Sequence, residues 1–330
     1  MASRAWWNGG GPRLAVDRDE VIPLSAERGL RVAVYAAQAS QAPRPAYAFF
    51  HGGGFRLGEP RSSDRQLREL ALAWGGIVVS LDYAHMPEAV FPVAVEESAA
   101  ALRWLSVHGA RWGIDPARLA VGGSSAGASV AMGAAVHLGP GRAGFLRAGA
   151  FVVGVFDDDL DTASMRAHGD GPMQPSRRSA AAMFEAYAGG PGQRRDPRLD
   201  TRQADLGDMP PLFLAAAELD VYRDSSVLLA RRLNGAGRSA ELVVYPGTTH
   251  LFWGYMRIDG LCGPHFADAG DHDSPDQRHC GVRYVFEPTQ IRFGNQTYAI
   301  CVVSLNGSPS FIVYGPKRAI ACRYRKACHW

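Results

Sequence analysis

The chain has 330 residues, 47% of them hydrophobic and 20% charged, a balance suited to a globular protein that buries about 70–75% of its unfolded surface. Its 35 basic and 32 acidic residues leave a net charge of only +3, which gives no reason to expect nucleic acid or an anionic membrane as partner. No apolar stretch of about 18 residues could span a bilayer, the N-terminus lacks the apolar run of a signal peptide, and no cysteine precedes Cys262, so a cytoplasmic protein is expected.

Short apolar runs alternate with amphipathic stretches along the first 250 residues. Residues 31–35, 46–50, 76–81, 119–121, 150–155, 211–215 and 240–245 read as strands buried on both faces of a largely parallel sheet. Between them, 63–74 reads as a helix that starts at a capping Ser63 and buries Leu67, Leu70, Ala71 and Trp74. Residues 93–108 form a second helical pattern with Val95, Ala99, Leu102 and Leu105 on one face, and 224–233 a third. This rhythm predicts a doubly wound α/β fold. It breaks over 157–208, a polar segment rich in Gly, Pro and Arg with one helical piece near 179–187, which suits a cap over a site.

The last quarter differs. All five cysteines, Cys262, Cys280, Cys301, Cys322 and Cys328, lie there, as do both lysines, Lys317 and Lys326. A junction is therefore expected between Tyr255 and Asp276. Three runs beyond it, 282–286, 297–303 and 310–314, have strand composition, and Gly294-Asn295 and Asn306-Gly307 punctuate them like hairpin turns. Cys262 with His265, His279 with Cys280, and Cys328 with His329 lack the paired Cys-X-X-Cys spacing of a structural zinc site, so no metal is expected. The basic end, Lys317-Arg318 and Arg323 to Lys326, reads as a solvated face.

The strongest local signal is Gly123-Ser124-Ser125-Ala126-Gly127, between a predicted strand and a helix of small residues. A turn this tight holds the serine hydroxyl above the sheet edge at a helix N-terminus, where free N–H groups favour a developing oxyanion. A second is His51-Gly52-Gly53-Gly54-Phe55, after the strand ending at Phe50. Its glycines let backbone N–H groups approach a substrate oxygen, and no Lys-Ser/Thr follows to make it a phosphate loop. A serine nucleophile needs a base and a carboxylate that orients it. Asp220 and His250 each follow a predicted strand, in the order Ser, Asp, His. Glu218 and Asp224 compete with Asp220, although Asp224 also suits the first turn of a helix. His51 is expected to order the glycine loop, and His85 and His108 receive no role.

With these residues in place the chain resembles the hormone-sensitive-lipase-like esterases of the α/β-hydrolase fold. The resemblance rests on His51 to Phe55, Asp82-Tyr83 with Pro87-Glu88, Phe91-Pro92, Gly113 to Pro116, Gly123 to Gly127, Met209-Pro210-Pro211, Asp220 to Asp224 and His250, and covers about residues 20–255. It implies a catalytic domain over 1–255 with a small helical cap from about 1–20 and 157–208, and leaves 256–330 as an atypical, β-rich extension. It further implies Ser125, Asp220 and His250 as the triad and Gly53, Gly54 and Ala126 as oxyanion-hole donors, with His51 and Gly52 supporting the loop.

Three departures stand out. Ser124 replaces the usual Asp or Thr; Ala84, His85 and Met86 replace Arg, Leu and Ala; and Asp259 to Pro264 interrupts the closing helix, which loosens the expected anchoring of the His250 loop. The expected activity is hydrolysis of small carboxylic esters through an acyl-enzyme, without cofactor. An arylformamidase-type amidase and a catalytically silent binding protein on the same fold are the alternatives. The oligomeric state stays open, a homodimer being one option.

Overall fold

The seven strands predicted in the first 250 residues enter a single sheet, together with an eighth that the sequence hides. The computed structural model describes residues 11–40, 42–190, 192–254, 284–293, 296–305 and 308–316. The chain divides into two compact units, Gly9–Leu251 and a second that contains the C-terminal strands.

In the first unit the strands are β1 (Val16–Pro23), β2 (Gly29–Ala36), β3 (Arg44–Phe50), β4 (Ile77–Leu81), β5 (Ile114–Ser124), β6 (Leu146–Val152), β7 (Leu212–Ala217) and β8 (Ala240–Tyr245). Their spatial order is β1-β2-β4-β3-β5-β6-β7-β8. β1 and β2 run antiparallel, and β4, β3, β5, β6, β7 and β8 are mutually parallel. Every residue of β4 and β7 is buried, as strands covered on both faces must be. Core side chains such as Phe49, Phe50, Ile77, Leu119 and Phe213 are each at most 1% exposed, and such burial contributes about 1.5–3 kcal/mol apiece.

The helices are α1 (Asp64–Trp74), α2 (Val93–His108), α3 (Ala126–His137), α4 (Ala163–His168), α5 (Arg177–Ala188) and α6 (Arg223–Gly235). In α2, Val95, Ala99, Leu102 and Leu105 are buried, as the periodicity predicts. α2 packs on α3 and β5, and α6 on β7 and β8. Among the described residues no helix is long and apolar enough to cross a membrane.

Four differences from the sequence reading have physical causes. β1 carries charged residues at Asp17, Arg18, Asp19 and Glu20, so its composition conceals a strand; residues 16–20 pair with β2 at the sheet edge instead of joining a cap. There Asp17 meets Arg61 at 3.0 Å and Arg68 at 2.6 Å, and Tyr35 donates to Asp64 at 2.8 Å, which ties α1 to the edge. β6 starts earlier than expected and ends at Val152, because Val153 turns to φ 45° and sends Val155 and Phe156 into the core. Ser63 occupies the N-cap position of α1, but its φ/ψ of −121°/34° lies outside the extended region and its side chain makes no capping bond. The 157–208 segment holds two helices, α4 and α5, where one was expected.

The second unit contains β9 (Tyr284–Phe293), β10 (Gln296–Leu305) and β11 (Ser308–Pro316), an antiparallel meander in the order β11-β10-β9. β9 covers 284–286 of its predicted run and continues to 293, β10 and β11 exceed theirs by one or two residues at each end, and 282–283 lie outside the described residues. The hairpin turns at 294–295 and 306–307, the Asp259–Pro264 interruption, the Cys/His pairs at 262, 265, 279, 280, 328 and 329, and the basic end lie outside the described residues, as do residues 1–10.

Candidate active site

Four loops converge at the C-terminal ends of β3, β5, β7 and β8, where an open α/β sheet presents its ligands. Ser125 is the single residue between β5 and α3, and the sharp reversal forces it to φ 54°, ψ −125°. Such strain in a non-glycine residue persists only where the surroundings fix it. Here the Ser125 N–H donates to the Val152 carbonyl at 2.9 Å. The start of α3 also presses against the end of β3: a Cβ on Gly127 would lie 2.2 Å from the carbonyl oxygens of Phe50 and His51. Only glycine allows that approach. Ala126 is the first residue of α3, so its N–H has no acceptor within the helix.

The Ser125 hydroxyl lies 2.7 Å from His250 Nε2, and His250 Nδ1 lies 2.8 Å from Asp220 Oδ2. A carboxylate only accepts, so Nδ1 carries the hydrogen and Nε2 presents its lone pair to the serine hydroxyl. Asp220 is 1% exposed and His250 6%. Burial of this carboxylate is offset by its bond to His250 and by the Tyr222 N–H, which donates to Oδ1 at 3.0 Å. Burial, reinforced by the charges of Asp220 and Asp157, pushes the Tyr222 phenol above its ordinary pKa and keeps it neutral beside the imidazole.

The His250 loop is tied to the Asp220 loop directly. Leu219 N–H donates to Thr248 O at 2.9 Å, Glu218 N–H to Tyr245 O at 3.1 Å, and Gly247 N–H to the Glu218 carboxylate at 2.7 Å. Glu218, a competitor of Asp220 in the sequence, therefore braces the loop that carries the histidine. Asp224 lies in the first turn of α6 and accepts from Ser164 N–H at 2.7 Å, away from His250.

Gly52, Gly53 and Gly54 follow β3 and pass close to the serine; a Cβ on Gly52 would lie 3.3 Å from that of Ser125. Gly53 has φ 144° and its carbonyl accepts from Leu57 N–H at 3.1 Å. A Cβ there would lie 1.7 Å from the Leu57 carbonyl oxygen. Gly53→Ala must therefore move the loop. If its N–H meets the oxyanion, kcat falls about 10²–10³-fold while the melting curve stays cooperative, which steady-state kinetics and calorimetry will check. The loop ends on Phe55, at φ 61°, whose ring stacks on Tyr187 of α5 at 3.8 Å. Met183 of α5 brings its sulfur within 3.7 Å of where a Gly54 Cβ would stand. The 157–208 segment thus packs onto the glycine loop through α5.

His51 roots this loop: its Nδ1 is 3.0 Å from the Gly52 carbonyl, its own carbonyl accepts from the Tyr83 hydroxyl at 2.9 Å, and its ring stacks on Tyr83 at 4.7 Å. Beyond it stands Asp82, whose Oδ2 receives Arg31 Nη2 at 2.6 Å. Burial opposes charge on Asp82, yet the adjacent His51 and Arg31 outweigh it and hold the carboxyl below its ordinary pKa. His85 completes the group; burial, then the neighbouring His51, lowers its imidazole pKa. Sequence reasoning gave no role to Arg31, His85, Met183 or Tyr187, because each joins the site only through tertiary contact.

A profile of the α/β-hydrolase fold matches residues 47–254. An acetyl esterase of Salmonella paratyphi B is 32% identical over 264 residues, covering 78% of this chain and 79% of the relative. Among solved structures, the thermophilic carboxylesterase EstE1, cloned from a metagenomic library, is 30% identical with a TM-score of 0.73, covering 78% of this chain and 88% of its own. A hyperthermophilic esterase from the archaeon Pyrobaculum calidifontis is 29% identical with a TM-score of 0.71, over 77% and 81% of the two chains.

Proposed function

We propose, on the premise that this chain belongs to the α/β-hydrolase family and is a carboxylic ester hydrolase, that it cleaves small, short-chain esters through Ser125, His250 and Asp220. The observation that carries this reading is the continuous hydrogen-bonded chain from the Ser125 hydroxyl through His250 to Asp220. His250 Nε2 takes the proton as Ser125 Oγ attacks the ester carbonyl, and Asp220 stabilises the imidazolium. The N–H groups of Gly53, Gly54 and Ala126 receive the tetrahedral oxyanion. His250 then passes its proton to the departing alcohol. Water, activated by the same nitrogen, releases the acid from the acyl-enzyme.

Two features favour short acyl groups. The similar Salmonella proteins are acetyl esterases, and Met183 of the 157–208 segment stands beside the glycine loop, within ordinary contact of where a Gly54 Cβ would lie. The substrate is a small molecule and the chemistry needs no cofactor.

A p-nitrophenyl ester series from acetate to decanoate tests the specificity. The expected kcat/KM is highest at acetate to butyrate and falls at least about tenfold by octanoate, a barrier difference of about 1.4 kcal/mol. Diisopropyl fluorophosphate is expected to modify Ser125, with the adduct located by peptide mass spectrometry. A maximum at the long esters overturns the short-chain assignment, an adduct on another serine overturns the nucleophile, and faster turnover of N-formylkynurenine favours the amidase alternative.

A further inference from the structure

We propose that His51, Asp82 and His85 form a site for one divalent transition-metal ion of the zinc type, at the root of the glycine loop. Their candidate ligand atoms all lie within 4.8 Å of one another.

The argument starts from His51. Its Nδ1 faces the Gly52 carbonyl at 3.0 Å, and a carbonyl only accepts, so Nδ1 carries the hydrogen. The ring is fully buried, and its Nε2 has no hydrogen-bond partner among the described residues. The nearest anion is Asp82 Oδ1 at 3.5 Å, longer than a charge-assisted hydrogen bond. When the ring is protonated Nε2 pairs with Asp82; when it is neutral, a nitrogen lone pair confronts a carboxylate oxygen, and a metal cation would take the place of that proton. A cation between the two atoms turns that repulsion into attraction. Imidazoles that bind metals characteristically donate their other N–H to a backbone carbonyl or a carboxylate, as His51 does to Gly52.

The other two ligands are prepared in the same way. Arg31 occupies Oδ2 of Asp82, at 2.6 Å from Nη2 and 3.1 Å from Nε, which orients the carboxylate and leaves Oδ1 towards His51. His85 Nε2 is buried without a hydrogen-bond partner among the described residues, and its ring stands edge-on to His51 at 5.3 Å and to Tyr83 at 4.7 Å. The His85 side chain is only partly buried, so an ion and a completing water can reach the site.

Zinc–ligand bonds of about 2.0–2.1 Å at tetrahedral angles place ligand atoms about 3.3 Å apart. Rotation of the His85 side chain closes the remaining gap. Two imidazoles and one carboxylate suit Zn2+, Co2+ or Ni2+, whereas Mg2+ and Ca2+ demand oxygen donors. The ion would clamp the segment after β3 to the segment after β4. It takes no part in ester hydrolysis, so its presence is tested apart from activity.

The experiment uses the full chain, stripped with a chelator, dialysed against Zn2+ and analysed for bound metal. Free thiols elsewhere in the chain could add unspecific zinc, so the readout is a difference. Wild type is expected to hold one more equivalent per chain than His85→Leu and His85→Gln; the Gln variant serves if Leu prevents folding. Equal uptake by wild type and a folded variant overturns the proposal. Independently, Zn2+ is expected to protect His85 from diethylpyrocarbonate in wild type, and labelling unaffected by Zn2+ overturns it as well.

Discussion

Replacing both Ser125 and His250 by alanine is expected to slow hydrolysis of p-nitrophenyl acetate no further than replacing either alone. Each single change is expected to lower kcat about 10⁵–10⁶-fold, because in the proposed mechanism nucleophile and base act as one unit. Without His250 the Ser125 proton has no acceptor at 2.7 Å; without Ser125 the imidazole has no nucleophile to activate. Independent contributions would instead multiply, and the double variant would fall to about the square of the single loss. The residual rate in all three variants reflects binding and the oxyanion donors, about 10³–10⁴-fold over water. The Ser125 side chain is small and His250 lies on a loop held by backbone bonds at Leu219 and Glu218, so each variant is expected to melt like wild type. Single losses below tenfold would remove both residues from the mechanism. A double variant far slower than either single would show two separate routes to the same product.

These residues were legible in the sequence because each sits where chain periodicity changes. Ser125 falls between an apolar run and a small-residue helix, and Asp220 and His250 just past two further runs; pattern placed them at strand ends, while the order expected of the fold and the family resemblance singled out Asp220 over Glu218. β4 and β7 were legible for the same reason, since strands buried on both faces are continuously apolar. β1 was not, because an edge strand can be charged and still pair: its Asp17 and Asp19 meet Arg61, more than 40 residues away. The end of β6 was misjudged because Val155 and Phe156 are apolar through packing in the core beyond the strand. Arg31 and His85 escaped for a related reason. Arg31 reaches Asp82 across 51 residues of chain, and His85 gains its meaning only from the ring of His51 beside it. Pattern locates what a strand end presents, and the sheet order decides what meets it.

Asp220→Asn is expected to lower kcat about 10⁴-fold at neutral pH with little change in KM. The sign follows from two hydrogen bonds. Tyr222 N–H donates to Oδ1 at 3.0 Å, so an asparagine in this place turns its carbonyl oxygen to Tyr222 and its amide nitrogen to His250. That nitrogen donates to Nδ1, which must then give up its hydrogen. The hydrogen moves to Nε2, 2.7 Å from the Ser125 hydroxyl, where a lone pair is needed. Nε2 then donates to the serine oxygen and can no longer accept its proton. Substrate affinity is spared because Asp220 is 1% exposed and reaches the ester only through the imidazole. Hydroxide can remove the serine proton without the base, so the variant's rate is expected to climb with pH through the alkaline range. A pH–rate profile of kcat checks this against wild type. A loss confined to KM, or below tenfold in kcat, would mean that another group orients His250; the Glu218 carboxylate instead accepts from Gly247, whereas Asp220 is the carboxylate hydrogen-bonded to the imidazole.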